Sequence, residues 1–325
     1  MIGKGWTTAY VHEPLQFGTV PEDFLSHLKQ RTRWAIGTVE NAVAMRFYLW
    51  GEKIKHMSTR ARLTSSLIAF LSLYPILFTI ALFSIPVILA LGRPLVIFTN
   101  DDQFRWLIRA CFASVASRRI MEFILFIPSG YHTGQRYTRY HIWMAPYLAL
   151  CLIRAFFLPK WLGGTTAAFK PTGSLGSALN ERDAATRRGL FRRLWAILLQ
   201  CMAIFHLLFV YFTVAGTVVV TYKAFIVERG VSDILRHLVT HAWWPPLTFV
   251  FLCNSFWIPI AYAINPPTVP DREELLNRDP NTGITHPREV TKKTAFGAQA
   301  AWLEFEYTLT TIYSALVFAA TFFLF

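Results

Sequence analysis

Three side chains within residues 27–37, HLKQRTRWAIG, combine types and spacing that can do chemistry. They are Gln30, Arg33 and Trp34, in the pattern Q-x-x-R-W. On a helix, residues three and four apart are neighbours, so all three share one face. That face offers a forked guanidinium suited to a pyrophosphate and an amide that can orient a polar group. It also offers a flat indole on which a sugar can stack. The same residues suit a plainer role, an interfacial Trp beside an Arg that reaches for the headgroups. Spacing alone leaves both readings open.

The elements that must position these residues follow from composition. Of 325 residues, 54% are hydrophobic and only 16% are charged, against about 25% charged in an ordinary soluble domain. The apolar residues are grouped in runs that approach or exceed the roughly 20 residues that cross a bilayer. The expectation is an all-α membrane protein, a multi-pass helical bundle with cytoplasmic interfacial helices. A formal net charge of +13 points to anionic lipid or a phosphate-bearing ligand. No nucleic-acid module is present, and no nucleic-acid partner is expected.

Cys111, Cys151, Cys201 and Cys253 lie apart in apolar segments, without CxxC or Cys/His ligand spacing, and read as small buried hydrophobes. No Asn-x-Ser/Thr sequon is present.

Along the chain, 21–62 reads as an amphipathic surface helix with Phe24, Leu28, Ala35 and Val39 on one side and Pro21 and Glu22 as its start signals. Two transmembrane helices are expected within 63–128. The first, near 67–91, contains Pro75 and Pro86; the second, near 105–127, carries Arg109, Arg118, Arg119 and Glu122. Arg118 and Glu122, four apart, can pair on one face. Residues 129–192 read as a cytoplasmic interface helix near 141–161 followed by a Gly/Ser/Thr-rich loop. Two more spans are expected within 193–264, near 194–221 and 243–264. A cytoplasmic polar loop occupies 265–300, and 301–325 holds a terminal span. In this scheme the inner segments hold nine, twelve and five Lys and Arg, and the outer loops one and three, the bias expected of inner loops.

Residues 3–37, ending in the Q-x-x-R-W pattern, resemble the end of the cytosolic domain of family 2 membrane glycosyltransferases, the group of cellulose, chitin and hyaluronan synthases. A second stretch adds to this. Ala145 to Leu148, followed by AAFKPTGS, resembles the cellulose-synthase interface helix and gating loop. The family's loop pattern is F-x-V-T-x-K; Phe169 and Thr172 match it, while Pro171 and Ser174 depart from it. The resemblance covers roughly residues 3–264.

The resemblance implies that Gln30 and Arg33 contact the diphosphate of a nucleotide sugar and that Trp34 holds the terminal sugar of a growing glycan. It implies that Phe169 and Thr172 belong to a loop closing over nucleotide, and that the spans line a channel for the polymer. In that family, a T-E-D aspartate serves as general base and a D-x-D pair holds Mg or Mn on the diphosphate. Neither motif occurs here, so no catalytic residue, metal ligand or cofactor is assigned to this chain. Residues 1–20 read as a remnant of the catalytic α/β domain, the rest of which is missing. A chain of this kind is expected to be inactive alone, either a truncated reading frame or one piece of a split enzyme with a separate catalytic chain. The amino-terminal region is expected on the cytoplasmic side of the plasma membrane or an endomembrane. The alternative is a non-enzymatic transporter or scaffold derived from such a synthase.

Overall fold

A computed structural model of the chain describes residues 23–127, 131–165, 183–243, 248–268 and 272–288. It also describes Gly5, Trp6, Ala9, Pro21, Glu181 and scattered positions between 305 and 319. Apart from one short hairpin, the regular structure among these residues is helical, which makes the chain all-α in class. It forms two compact units. The first comprises Met1–Leu82, Met144–Ile197 and Asn265–Arg288; the second comprises Phe83–Trp143, Leu198–Ile264 and Glu289–Phe325.

In the first unit, α1 (Phe24–Ala44) starts at Asp23, whose carboxylate accepts the Ser26 N–H at 2.8 Å. The cap is therefore the residue after the expected Pro21–Glu22 signal, because a carboxylate satisfies an amide that the first turn leaves unpaired. Phe24, Leu28, Ile36, Val39 and Ala42 form its buried face.

After α1 the chain reverses through Arg46, Phe47 and Tyr48, whose φ angles of 50°, 53° and 59° are all left-handed. Phe47 stacks on Phe70 with centroids 4.9 Å apart, and Asn41 donates to the Tyr48 hydroxyl at 3.1 Å. These contacts hold a backbone that side chains rarely adopt.

α2 (Thr59–Leu71) leads into α3 (Tyr74–Ala90). Pro75 falls in the first turn of α3, where it has no N–H to offer. The backbone tightens there, with Leu73 N–H to Phe70 and Ile76 N–H to Leu73. Pro86 is accommodated inside α3.

The helix expected at 141–161 is α5 (Tyr131–Phe156), which starts ten residues earlier. It stops short because Pro159 follows and only a 3-10 turn, Lys160–Leu162, comes after. Its carboxyl-terminal part, from Met144, belongs to the first unit.

The polar loop expected at 265–300 contains α10 (Arg272–Leu275) and a hairpin of β1 (Leu276–Arg278) and β2 (Thr285–Pro287), with Asn277 opposite His286. Asp279 nucleates its turn. The Thr282 hydroxyl at 2.7 Å and the Asn281 N–H at 2.8 Å both donate to it, holding its carboxyl below the usual range. Gly283 supplies the left-handed corner at φ 69°.

In the second unit, α4 (Asp101–Phe126) is capped by Asn100. The anticipated pair forms on α4: Arg118 Nε lies 3.0 Å and Arg119 3.2 Å from the two oxygens of buried Glu122.

The span expected from 194 begins instead at Ile204. Ahead of it are α6 (Leu190–Trp195), a π-helical turn (Ala196–Gln200) and Met202, whose left-handed φ of 59° interrupts the helix. α7 (Ile204–Val227) packs on α9 (Thr248–Ile264) through Phe209, which stacks on Phe256 with centroids 4.1 Å apart. On the α3 side, Phe83 meets Phe209 edge-on at 5.5 Å. A short amphipathic helix, α8 (Val231–His241), follows α7.

Among the described residues, two helical runs are long and apolar enough to cross a membrane, Thr59–Ala90 and Ile204–Val227. Only 17% and 22% of their most apolar stretches are buried, so both turn apolar side chains outward, which water does not favour. The apolar part of α9, Val250–Ile264, is shorter. α4 does not qualify, because Arg105, Arg109, Arg118, Arg119 and Glu122 interrupt it. Most of the terminal segment 301–325 lies outside the described residues.

Candidate functional site

α1 carries Gln30, Arg33 and Trp34 at the expected helical spacing. Its apolar face is committed. Phe24 meets Tyr147 edge-on with centroids 6.5 Å apart. Ile36 and Val39 share a buried cluster with fully enclosed Leu152. The Cys151 thiol lies 3.8 Å from the Thr32 carbonyl. These contacts fasten α1 to α5. Gln30 and Arg33 are half-buried, while the Trp34 side chain is left 52% exposed. The Arg31 guanidinium sits over the indole, 4.8 Å from the ring centre, so a cation occupies one face of the ring. A second molecule stacking on Trp34 must use the other face.

Ala145 to Leu148 lie within α5, the helix that holds α1. Phe169 and Thr172 lie outside the described residues. The chain on either side of them is anchored in the same unit. Before them, the Thr165 N–H donates to the Arg154 carbonyl at 3.0 Å, and Arg154 Nε donates to the Gly163 carbonyl at 2.9 Å. After them, the Glu181 carboxylate accepts the Phe24 N–H at 3.1 Å. An acid thereby meets the amino end of α1, where helix amides and dipole favour negative charge.

The second unit holds a cleft that no sequence motif announces. It encloses about 330 Å³ and has an apolar wall of Pro94, Val96, Ile97 and Phe98. Its polar wall is Glu228, Asp233, Arg236, His237, Thr240 and His241. Asp233, His237 and His241 recur every four residues, which places them on one side of α8. The rings of His237 and His241 stack nearly parallel, 15° apart with centroids at 4.1 Å. The Glu228 carboxylate lies 3.1 Å from His237 Nδ1. His241 Nδ1 lies 3.1 Å from the His237 carbonyl and 2.9 Å from the Thr240 hydroxyl. Burial, then the neighbouring His237, lowers the pKa of His241. Arg236 is paired with Asp101 and lies over the rings of Phe98 and Phe104. The D-x3-H-x3-H spacing was the available signal; it stands on an amphipathic helix between apolar runs, and so reads as loop polarity.

Fold and sites together define an all-α chain with, among the described residues, two helices of membrane-crossing length, an exposed Trp beneath a half-buried Arg on a fixed helix, and a histidine-lined cleft. Compared with models of known families, with curated proteins and with solved structures, the chain matches none.

Proposed function

We propose that this chain is the membrane-embedded, acceptor-binding and glycan-translocating part of a nucleotide-sugar-dependent β-glycosyltransferase. Trp34 is the platform on which the end of the growing glycan rests. Its open face meets the C–H-rich side of a sugar, whose polarised hydrogens favour an aromatic quadrupole. Gln30 and Arg33 receive the donor diphosphate, Arg33 through its bidentate fork. The Phe169–Thr172 segment closes over bound nucleotide. The polymer leaves through a multi-pass bundle that includes the runs Thr59–Ala90 and Ile204–Val227.

The observation that carries this reading is the exposed Trp34 on a helix locked to α5. It joins two stretches of the resemblance more than 100 positions apart in sequence, the Q-x-x-R-W helix and the Ala145–Leu148 helix. Glu181, which follows the Phe169–Thr172 stretch in sequence, accepts the Phe24 N–H at the start of α1.

The divalent cation of the resembled family does not fit these residues. Gln30, Arg33 and Trp34 provide no anionic ligand, and no metal-holding group of three His, Cys, Asp or Glu occurs among the described residues. Proton removal from the acceptor and metal binding on the diphosphate are assigned to residues outside this sequence.

The test uses membranes from cells whose own copy carries Trp34→Ala, supplied with labelled nucleotide sugars. The expected result is loss of polymer with unchanged amounts of inserted chain. Normal product from that variant overturns the platform role. Solute movement by the purified chain in vesicles, without nucleotide sugar, replaces the synthase reading with a transporter.

A further inference from the structure

The helix α5 ends in a turn that is firmly built and yet leaves its largest side chains outside. The Phe157 and Leu158 N–H groups both donate to the Ile153 carbonyl, at 2.9 and 3.0 Å. Across the 3-10 turn Lys160–Leu162, the Leu162 and Gly164 N–H groups donate to the Pro159 carbonyl at 3.0 Å. Gly163 takes the left-handed corner at φ 86°. Arg154 closes the ring: its Nε donates to the Gly163 carbonyl at 2.9 Å, and its own carbonyl receives the Thr165 N–H at 3.0 Å. A Cβ on Gly164 would run into the Leu158 carbonyl oxygen, so the backbone is fixed in a form that needs glycine there. Trp161 is nonetheless 81% exposed, Phe157 66% and Leu162 52%.

Water does not favour three such side chains held in place. Their surroundings identify a medium that does. Leu152, little more than one turn before Phe157, shares a buried cluster with Ile36 and Val39, and Leu73, Ile76 and Ala155 pack against it. Leu73 and Ile76 mark the place where the run Thr59–Ala90 changes character. Its first part carries Arg60 and Arg62, whereas α3 holds no charged residue. A helix entering a bilayer passes from headgroups to hydrocarbon at such a boundary. Phe157 follows Leu152 by only about 8 Å along the helix axis. The local charge is of one sign. Lys160 is exposed within the turn, and no Asp or Glu occurs between Glu122 and Glu181. An indole and a phenyl ring beside a cation suit the level where anionic headgroups meet the acyl chains.

We propose that the Phe157–Leu162 turn is an anchor that enters one leaflet without crossing it. Phe157, Trp161 and Leu162 insert at the boundary of headgroups and acyl chains, and Lys160 meets the phosphates of anionic lipids. The anchor sets the depth of the carboxyl end of α5 and, through Leu152, of α1 with its exposed Trp34. It rests on the reading of Thr59–Ala90 as a span and is independent of the glycan reading.

The test places the purified full chain in vesicles of phosphatidylcholine, with or without an equal part of phosphatidylglycerol. One photoactivatable lipid carries a diazirine near the ester carbonyl and another at the end of the acyl chain, and adducts are mapped by mass spectrometry. The carbonyl-level probe should mark Phe157, Trp161 and Leu162. The chain-end probe should mark exposed Ile80 in α3 and leave the turn bare. Trp161→Ser should lower marking of Leu162 by about tenfold, the effect of withdrawing one large side chain from an apolar medium. Lys160→Gln should lower it by about fivefold with phosphatidylglycerol present and leave it unchanged without. A marked Ile80 with a bare turn overturns the anchor and leaves the span standing, whereas both bare overturns the two together. Chain-end marking of the turn makes it part of a crossing segment and also overturns the anchor. Unchanged marking in either variant overturns the role given to that side chain. The readings on the native chain need no variant, so a misfolded mutant does not protect the proposal.

Discussion

Gly216 offers the sharpest test of how the apolar helices meet. It lies on the buried face of α7, in line with His206, Phe209, Thr213, Val220 and Ala224. A Cβ built there falls 2.7 Å from the Cβ of Leu89 on α3 and 3.6 Å from its carbonyl carbon. Optimal carbon–carbon separation is about 3.5–4.0 Å, so Gly216→Ala forces α3 and α7 apart by about 1 Å. A gap of that size forfeits a quarter to a half of each affected contact, including the Phe83–Phe209 edge contact that joins the same two helices. Overpacking of this kind costs about 1–3 kcal/mol. Gly37 is the internal control. It sits in α1 with nothing within 4 Å of an added Cβ, so Gly37→Ala gains helix propensity and should stabilise by about 0.5–1 kcal/mol. Thermal unfolding in one detergent measures both, by circular dichroism and by maleimide labelling of buried Cys201 just before α7. The expected result is a lower midpoint for Gly216→Ala and a higher one for Gly37→Ala. Leu89→Gly should recover part of the first loss when combined with it, as contacting residues are coupled. Equal or greater stability of Gly216→Ala would refute the close approach of the two helices.

Two further outcomes follow from polar groups. Glu122→Gln removes the common partner of Arg118 and Arg119. The side chains of both arginines retain solvent exposure, 58% and 29%, so they rehydrate and the loss should be about 1 kcal/mol in denaturant titration. Arg118→Met should cost less than that, since Arg119 keeps Glu122 paired. For Asp279, whose pKa is lowered in the folded chain, the stabilisation of the hairpin is full above the pKa of an unfolded aspartate. It disappears as the pH falls through the lower folded value. A carboxyl-labelled NMR titration should show Asp279 titrating below an unfolded aspartate, and Thr282→Val should move it up.

The helices were legible wherever a face had to be buried. The spacing of Phe24, Leu28, Ala35 and Val39 predicts α1; Phe24, Leu28 and Val39 form its inner side, while Ala35 is only partly buried beside Ile36. The pairing of Arg118 with Glu122 follows from their separation alone. Boundaries were less legible, because they depend on backbone conformation. Nothing in the residue type of Met202 announces a left-handed φ, yet it moves the start of α7 by ten residues. The hairpin at Leu276–Pro287 was missed since its strands have three residues each and no alternation to read. Only its turn, D-P-N-T-G, was visible. At the candidate site, the sequence identifies Trp34 but not that Arg31 covers one of its faces; that depends on rotamers. The histidine cleft combines residues from the 94–98 segment, the end of α7 and α8, and only the α8 part has a spacing to recognise.

The reversal at Arg46–Phe47–Tyr48 sets a limit on how this chain can vary. Three successive side chains occupy a backbone region that each would leave at a gain of order 1 kcal/mol. Glycine would relax each position, but at Phe47 it would delete the ring that stacks on Phe70, and at Tyr48 the hydroxyl that receives Asn41. At Arg46 no such anchor is at stake, so Arg46→Gly should come out ahead of Phe47→Gly and Tyr48→Gly when libraries are sorted for heat resistance. The corner is a latch, with tension in its hinge and two aromatic bolts keeping it shut.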